Sequence, residues 1–232
     1  MILPDVNDKS IYVYLDADAI QYCHKIAKIR CKYKKWAKEG DKNDRYNKGI
    51  LNSEKDPYQT ERVGLYGEKV FSLITGLPID EEERPHGDPG WDFILPDSKI
   101  KIDPKNSLAL YDVAKEKGLY GQFYIKASKS SLKTEEPKSD FYIFSYNHNP
   151  EGIPEKDTKD LWIKIVGVIS KKSILANAEE RIGKPLTKKG YENGEPLWLN
   201  YYVKKEELLD PITFFWHIRR HIKHEKTDLY FT

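Results

Sequence analysis

Two short segments in the first half of the chain carry acidic residues in a pattern that suits metal-dependent chemistry. Residues 87–95 read GDPGWDFIL and place Asp92 at the start of an apolar run. Residues 99–105 read KIKIDPK and end with an acid two positions before a lysine. Because side chains alternate along a strand, Asp103 and Lys105 are predicted to project from the same face.

A turn between the two segments would bring their acids together. Residues 96–98, PDS, are of types that favour turns, so an antiparallel hairpin is predicted that sets Asp92 beside Asp103. Magnesium prefers oxygen ligands and usually takes one or two carboxylates, and its bound water is a better nucleophile toward a phosphodiester. The hairpin therefore predicts a Mg²⁺ or Mn²⁺ site, with Asp88 as an alternative ligand to Asp92. Lys105 is placed to orient the attacking water or to offset charge in the transition state.

A third acid precedes the hairpin. Residues 64–78 read GLYGEKVFSLITGLP, which predicts a helix that buries Val70, Phe71 and Ile74 and ends at Gly76. Glu68 lies on this helix and is predicted to face the hairpin. It is therefore the third candidate metal ligand.

Together these motifs resemble the PD-(D/E)xK nuclease superfamily, whose restriction-endonuclease-like fold is shared by archaeal Holliday-junction resolvases. The chain is similar to small nucleases of phages and archaeal viruses that carry Gly-x-x-Gly-Glu on a helix, then Gly-Asp-x-Gly-x-Asp-Phe, then Ile-Asp-x-Lys. The similarity covers residues 62–105. It implies that Glu68, Asp92 and Asp103 bind the metal and that Lys105 is the catalytic lysine. The implied activity is Mg²⁺-dependent hydrolysis of DNA, possible on branched substrates such as junctions.

One position departs from the family pattern. The residue between the acid and the lysine is usually apolar and often β-branched in this family, whereas this chain has Pro104. Proline cannot donate to a sheet ladder and is confined to edges, strand ends or bulges. Pro104 therefore predicts either that the strand ends at Asp103 or that a bulge re-aims Lys105. It also favours an alternative function, a DNA-binding or assembly protein that keeps the nuclease fold and does not cleave.

Composition narrows the class of protein. The 232 residues have 33% charged side chains, a net charge of +2 and a mean hydropathy of −0.72. No stretch approaches the roughly 18 apolar residues of a membrane span, and the first residues lack a secretory-signal layout. These features predict a cytoplasmic protein without membrane contact, in the host cytoplasm if the chain is viral. No phosphate-binding glycine loop or dinucleotide fingerprint is present, so no nucleotide cofactor is expected.

Basic residues crowd two segments of the chain. Seven lie between residues 25 and 38, namely Lys25, Lys28, Arg30, Lys32, Lys34, Lys35 and Lys38. Phosphate backbones select such stripes, although a solvated helix face is the alternative explanation. The candidate DNA-contacting residues, drawn from this segment and from the C-terminal one, are Lys28, Lys32, Lys35, Arg219, Arg220 and Lys223.

The order of predicted elements indicates an α/β fold. Strands are predicted at 10–15, 121–126, 141–146, 161–169 and 200–203, and helices at 16–38, 64–75, 170–180 and 211–224. With the hairpin they predict a central mixed sheet of about five strands flanked by helices, in a restriction-endonuclease-like core. We interpret residues 1–60 as a basic helical arm and loop and residues 61–232 as the nuclease core, in one structural domain. A single site per chain predicts a homodimer, because two DNA strands must be cut.

Overall fold

A computed structural model describes residues 1–31, 59–82, 90–107, 122–126, 135–148, 160–183, 191–192, 195–196 and 199–222. The helices are α1 (Ala17–Cys31), α2 (Gln59–Thr75), α3 (Lys171–Ala176), α4 (Ala178–Arg181) and α5 (Pro211–Ile218), with 3-10 turns at Lys205–Glu207 and Arg219–His221. The strands are β1 (Ile2–Asp5), β2 (Ser10–Leu15), β3 (Phe93–Ile94), β4 (Lys101–Ser107), β5 (Gln122–Lys126), β6 (Phe141–His148), β7 (Leu161–Ser170), β8 (Ile182–Gly183), β9 (Tyr191–Glu192), β10 (Glu195–Pro196) and β11 (Asn200–Lys204).

The main sheet has six strands in the order β1-β2-β7-β6-β4-β3. Its pairs are antiparallel except for β4 and β6, which run parallel, so the predicted mixed α/β sheet is confirmed. The central strand β7 is buried along most of its length. Its sequence LWIKIVGVIS is a nearly continuous apolar run, as expected for a strand that is covered on both faces.

A smaller sheet differs from the expected arrangement. The segment predicted as a strand at 121–126 is strand β5, but it pairs with β11, which also pairs with β8, and not with the main sheet. An alternating pattern marks a strand and its buried face without naming the neighbouring strand. The pairing was therefore decided by the packing of the whole chain.

The core lies in two clusters on opposite faces of the main sheet. Helices α1, α2 and α5 cover one face, and their aromatic rings meet the hairpin. The ring of Phe71 on α2 lies 4.6 Å from that of Phe93 on β3 and 5.8 Å from that of Phe215 on α5, measured between centroids. The other face packs against the smaller sheet and α3 through side chains such as Tyr142 and Tyr201. The hairpin is thus held between α2 and the rest of the sheet.

Local signals explain where the helices begin and end. The carboxylate of Asp16 accepts a hydrogen bond from the backbone N–H of Ala19, 2.9 Å away, at the start of α1. Helix α2 is followed by Gly76 with a φ of +74°, the conformation that favours glycine after a helix. Helix α5 is shorter than predicted and passes into a 3-10 turn after Ile218, while the prediction for α1 beyond residue 31 lies outside the described residues. Within the described part of the chain, no helix has the length and apolar character needed to cross a membrane.

Pro104 lies inside a continuous strand. Asp103, Pro104 and Lys105 keep an unbroken parallel register with β6, and β4 runs on to Ser107. Both expectations for this proline, a strand end at Asp103 and a bulge that re-aims Lys105, are therefore wrong. The physical reason is the short partner on the other side, because β3 pairs with only the first two residues of β4. Among the described strands, Pro104 thus lies at an edge, where a missing N–H is tolerated.

A glycine in β7 makes room for the chain that follows β11. A Cβ at Gly167 would lie 2.5 Å from the Cβ of Leu208 and 2.7 Å from its Cδ1. The neighbouring residues Val168 and Leu209 exchange backbone hydrogen bonds of 3.1 and 2.7 Å, so this segment cannot easily move away. We expect Gly167→Ala to lower the free energy of unfolding by about 1–3 kcal/mol, measured by urea denaturation.

The matched control for this variant is a glycine with open space. A Cβ at Gly64 on α2 would meet nothing within 4 Å, and alanine has the higher helix propensity. Gly64→Ala should therefore leave stability unchanged or raise it. An equal loss of stability in both variants would contradict the steric argument for Gly167.

Candidate functional site

The predicted hairpin forms and brings two of the candidate acids together. In it, β3 pairs antiparallel with β4, with Phe93 opposite Ile102. Asp92 immediately precedes β3, and its backbone N–H donates a 3.0 Å hydrogen bond to the carbonyl of Ile102. That carbonyl belongs to the peptide group that joins Ile102 to Asp103. The backbones of Asp92 and Asp103 therefore lie side by side.

Asp103 and Lys105 form an ion pair along one face of β4. The Nζ of Lys105 lies 2.6 Å from the Oδ2 of Asp103. The carboxylate is buried, with 7% of the side chain exposed, whereas 44% of the lysine side chain is exposed. Lysine carries its charge on a flexible stem, so the ammonium can hold the acid and still face solvent. The structure thus supplies a buried carboxylate with an accessible cation beside it.

Tyr142 on β6 lies opposite Asp103 in the parallel register. Burial raises the pKa of its phenol, the hydrogen bond that its oxygen accepts from the N–H of Ser139 at 3.1 Å opposes this, and the charge of Asp103 raises the pKa further. The phenol therefore stays neutral at physiological pH. It adds no charge next to Asp103.

Glu68 on α2 is bound by a residue that the sequence analysis did not single out. The guanidinium of Arg30 on α1 donates from Nη1 to Oε1 at 2.6 Å and from Nη2 to Oε2 at 2.7 Å. Nη2 also donates to the carbonyl of Asp80 at 2.6 Å, and Nη1 lies 3.6 Å from Oε1 of Glu61. Such bidentate geometry is typical of a strong, charge-assisted pair. Glu68 is therefore turned toward α1.

Helical spacing was the signal that could have identified Arg30. It lies four residues after Ile26 and seven after Cys23, both of which are buried. This spacing places it on the buried face of α1 and not on the solvated face expected of a basic stripe. A buried arginine requires a partner, but its identity is not legible in the sequence because Glu68 lies 38 residues away.

The electrostatics link this ion pair to the strand acids. Burial raises the pKa of the Glu68 carboxyl, the contacts with Arg30 oppose that shift, and the charges of Glu61 and Asp103 add to it. Burial alone would lower the pKa of Arg30, but the carboxylates of Glu68, Glu61 and Asp92 raise it above its usual value. Arg30 thus remains protonated. Its field and that of Glu68 reach Asp92 and Asp103.

The packing of α2 on β4 keeps Glu68 apart from the strand acids. A Cβ at Gly67 would lie 3.1 Å from the Cβ of Asn106 and 3.6 Å from that of Pro104, so these two residues lie under the helix. Asp103 and Lys105 alternate with them and belong to the other face of β4. Within the residues that the structure describes, no group of three His, Cys, Asp or Glu side chains could hold a metal ion. The structure thus brings Asp92 next to Asp103 and Lys105 and ties Glu68 to Arg30.

The candidate DNA-contacting residues are only partly covered by the structure. Lys28 on α1 is exposed, as are Arg219 and Arg220 in the turn after α5. The guanidinium carbon of Arg220 lies 4.8 Å from the ring centroid of Trp216, an exposed tryptophan. Three further candidates, Lys32, Lys35 and Lys223, lie outside the described residues, as does Asp88, the alternative ligand.

Comparisons with known proteins add no relative to this picture. No protein-family model matches the chain. Neither curated proteins nor solved structures give a match. The resemblance to nucleases therefore depends on the motif residues between 62 and 105, and the fold itself is a mixed six-stranded α/β sheet flanked by helices.

Proposed function

We propose that the chain is a metal-dependent DNA nuclease that hydrolyses phosphodiester bonds, with Asp92, Asp103 and Lys105 as its catalytic residues and Glu68 as a residue that acts through water. The observation that supports it most directly is the 2.6 Å ion pair between Lys105 and the buried Asp103, with the backbone of Asp92 alongside. Those residue types in that order are the ones that the sequence motif contains.

The donor set suits a hard divalent cation. Asp92 and Asp103 offer carboxylate oxygens, and Mg²⁺ is commonly held by one or two carboxylates while it keeps several waters. When bound, Mg²⁺ or Mn²⁺ would polarise the phosphodiester and lower the pKa of a bound water. Lys105 reaches solvent from the same strand face, so its ammonium can bind a phosphate oxygen or the attacking water.

The expected partner is DNA, in a cytoplasmic homodimer. Exposed Lys28, Arg219 and Arg220 support phosphate contacts, although the net charge of +2 is modest. A symmetric dimer would present two sites to the two strands of a duplex or junction.

A cleavage panel tests the proposal. Linear, nicked, single-stranded and four-way-junction DNA should each be incubated with Mg²⁺, with Mn²⁺ and with EDTA. Metal-dependent cutting of at least one substrate, abolished by EDTA, is the expected result. The substrate that is cut fastest would identify the structure that the enzyme recognises.

The second candidate function is a DNA-binding or assembly protein that does not cleave. The bidentate contact of Glu68 with Arg30 favours it, because this contact keeps one of the three motif acids away from the hairpin. A wild-type protein that shifts DNA in a gel but cuts none of the four substrates in either metal would establish this alternative.

If Lys28 contacts a phosphate, its loss should change the salt dependence of DNA binding. Lys28→Gln should weaken binding to unrelated sequences alike and reduce the slope of log K against log salt by about 0.9, the value for one contact. Adding Lys32→Gln and Lys35→Gln should reduce the slope further. Fluorescence anisotropy between low and moderate salt measures it.

Lys172 provides the matched control, since it is an exposed lysine on α3, in the layer across the sheet from α1. Lys172→Gln should leave the slope at the wild-type value. The same slope in wild type and Lys28→Gln would make Lys28 part of a solvated helix face.

A further inference from the structure

We propose that Arg30 is a positioning residue that gives Glu68 an outer role at the metal, so that Asp92 and Asp103 hold the ion and Glu68 orients its water. This inference rests on the proposed nuclease function and deepens it. It reverses the expectation that basic residues of the N-terminal segment serve the DNA backbone, because Arg30 binds a carboxylate of its own chain.

The first argument is that Arg30 uses both carboxylate oxygens of Glu68. The two hydrogen bonds of 2.6 and 2.7 Å match the planar fork of the guanidinium to the plane of the carboxylate. Only 15% of the Arg30 side chain and 6% of the Glu68 side chain are exposed. A direct metal ligand would have to rotate out of this geometry, which would leave two buried charges without their counterions.

The second argument is that α1 anchors the neighbouring backbone as well. Arg30 donates to the carbonyl of Asp80, and the hydroxyl of Tyr22 donates to Oε1 of Glu81 at 2.6 Å. These contacts hold the segment that follows α2 against α1. Arg30 therefore fixes Glu68 from a rigid frame and is not a side chain that moves freely between solvent and the acid.

The third argument concerns what Glu68 can still do. A carboxylate has about four lone-pair positions, and Arg30 occupies two of them. The others can accept from water molecules that a metal would bring. The absence of a three-residue ligand group among the described residues agrees with this division, in which Glu68 lies near the ion but outside its direct ligands.

Metal binding without DNA separates direct from indirect ligands. Mn²⁺ binding should be followed by electron paramagnetic resonance in wild type, Asp103→Asn and Glu68→Gln. We expect Asp103→Asn to weaken binding by more than about tenfold and Glu68→Gln to weaken it far less. Equal weakening in Asp103→Asn and Glu68→Gln would make Glu68 a direct ligand and overturn the inference.

A double-mutant cycle tests whether Arg30 acts through Glu68. Arg30→Lys keeps the positive charge but loses the planar fork, so we expect kcat for cleavage to fall by about 10–100-fold with little change in the Mg²⁺ concentration at half-maximal rate. In a Glu68→Gln background, the same substitution should change kcat by less than about twofold, because its target is gone. A merely structural role for Arg30 would lower kcat equally in both backgrounds and would overturn the inference.

The two proposals fail in different ways. A wild type that neither binds Mn²⁺ nor cleaves DNA overturns both the nuclease function and the role of Arg30. A wild type that binds Mn²⁺ and cleaves, while Arg30→Lys cleaves at the wild-type rate, leaves the nuclease in place and overturns the role of Arg30 alone.

Discussion

Asp103→Asn is expected to lower the rate of DNA cleavage by about 10²–10³-fold, because it removes a buried carboxylate that would hold the metal. The substitution keeps the shape of the side chain, and Lys105 is exposed enough to be hydrated without its counterion. Fold and DNA affinity should therefore be largely preserved, since phosphate contacts are made elsewhere. Single-turnover cleavage and gel-shift affinity are the two measurements, and Asp92→Asn should behave in the same way.

Asp97 offers the matched control for this experiment. It is an exposed aspartate in the turn of the same hairpin, and Asp97→Asn makes the same chemical change. Its cleavage rate should equal that of the wild type. Full activity in Asp103→Asn, or undiminished wild-type cutting in EDTA, would show that Asp103 does not hold a catalytic metal.

Arg30→Met should lower the free energy of unfolding by about 3–5 kcal/mol, the usual result when one partner of a buried ion pair is removed. Glu68 would then carry a charge in an environment where only 6% of its side chain is exposed. Chemical denaturation measures the change. The comparison is Lys28→Met on the exposed face of the same helix, which should change stability by no more than about 0.5 kcal/mol.

The double variant Arg30→Met/Glu68→Met separates the ion pair from the packing of the arginine stem. It should recover most of the lost stability, because apolar residues of similar volume often replace a buried ion pair without net cost. The coupling from the resulting cycle should be well above the roughly 0.5 kcal/mol within which independent sites add. A double variant as unstable as the sum of the two single variants would mean that the contact contributes nothing through its charges.

Several elements were predictable because their signals are local. The turn residues between the two acidic segments predict the β3–β4 hairpin, and β3 pairs with β4 as expected. The caps at Asp16 and Gly76 act on neighbouring residues, so composition alone predicts where α1 begins and α2 ends. The ion pair of Asp103 and Lys105 joins residues two apart on one strand and follows from the same alternation.

The sequence alone therefore determined the α/β class, the hairpin with its acids and the lysine beside Asp103, because each depends on residues that are close in the chain. Tertiary structure alone decided that β5 pairs with β11, that Pro104 lies at an open side of β4, and that Glu68 binds Arg30. The pairing of Glu68 with Arg30 joins residues 38 positions apart. Such a contact exists only once α1 and α2 pack together, since a buried charge takes whichever counterion the packing brings within reach.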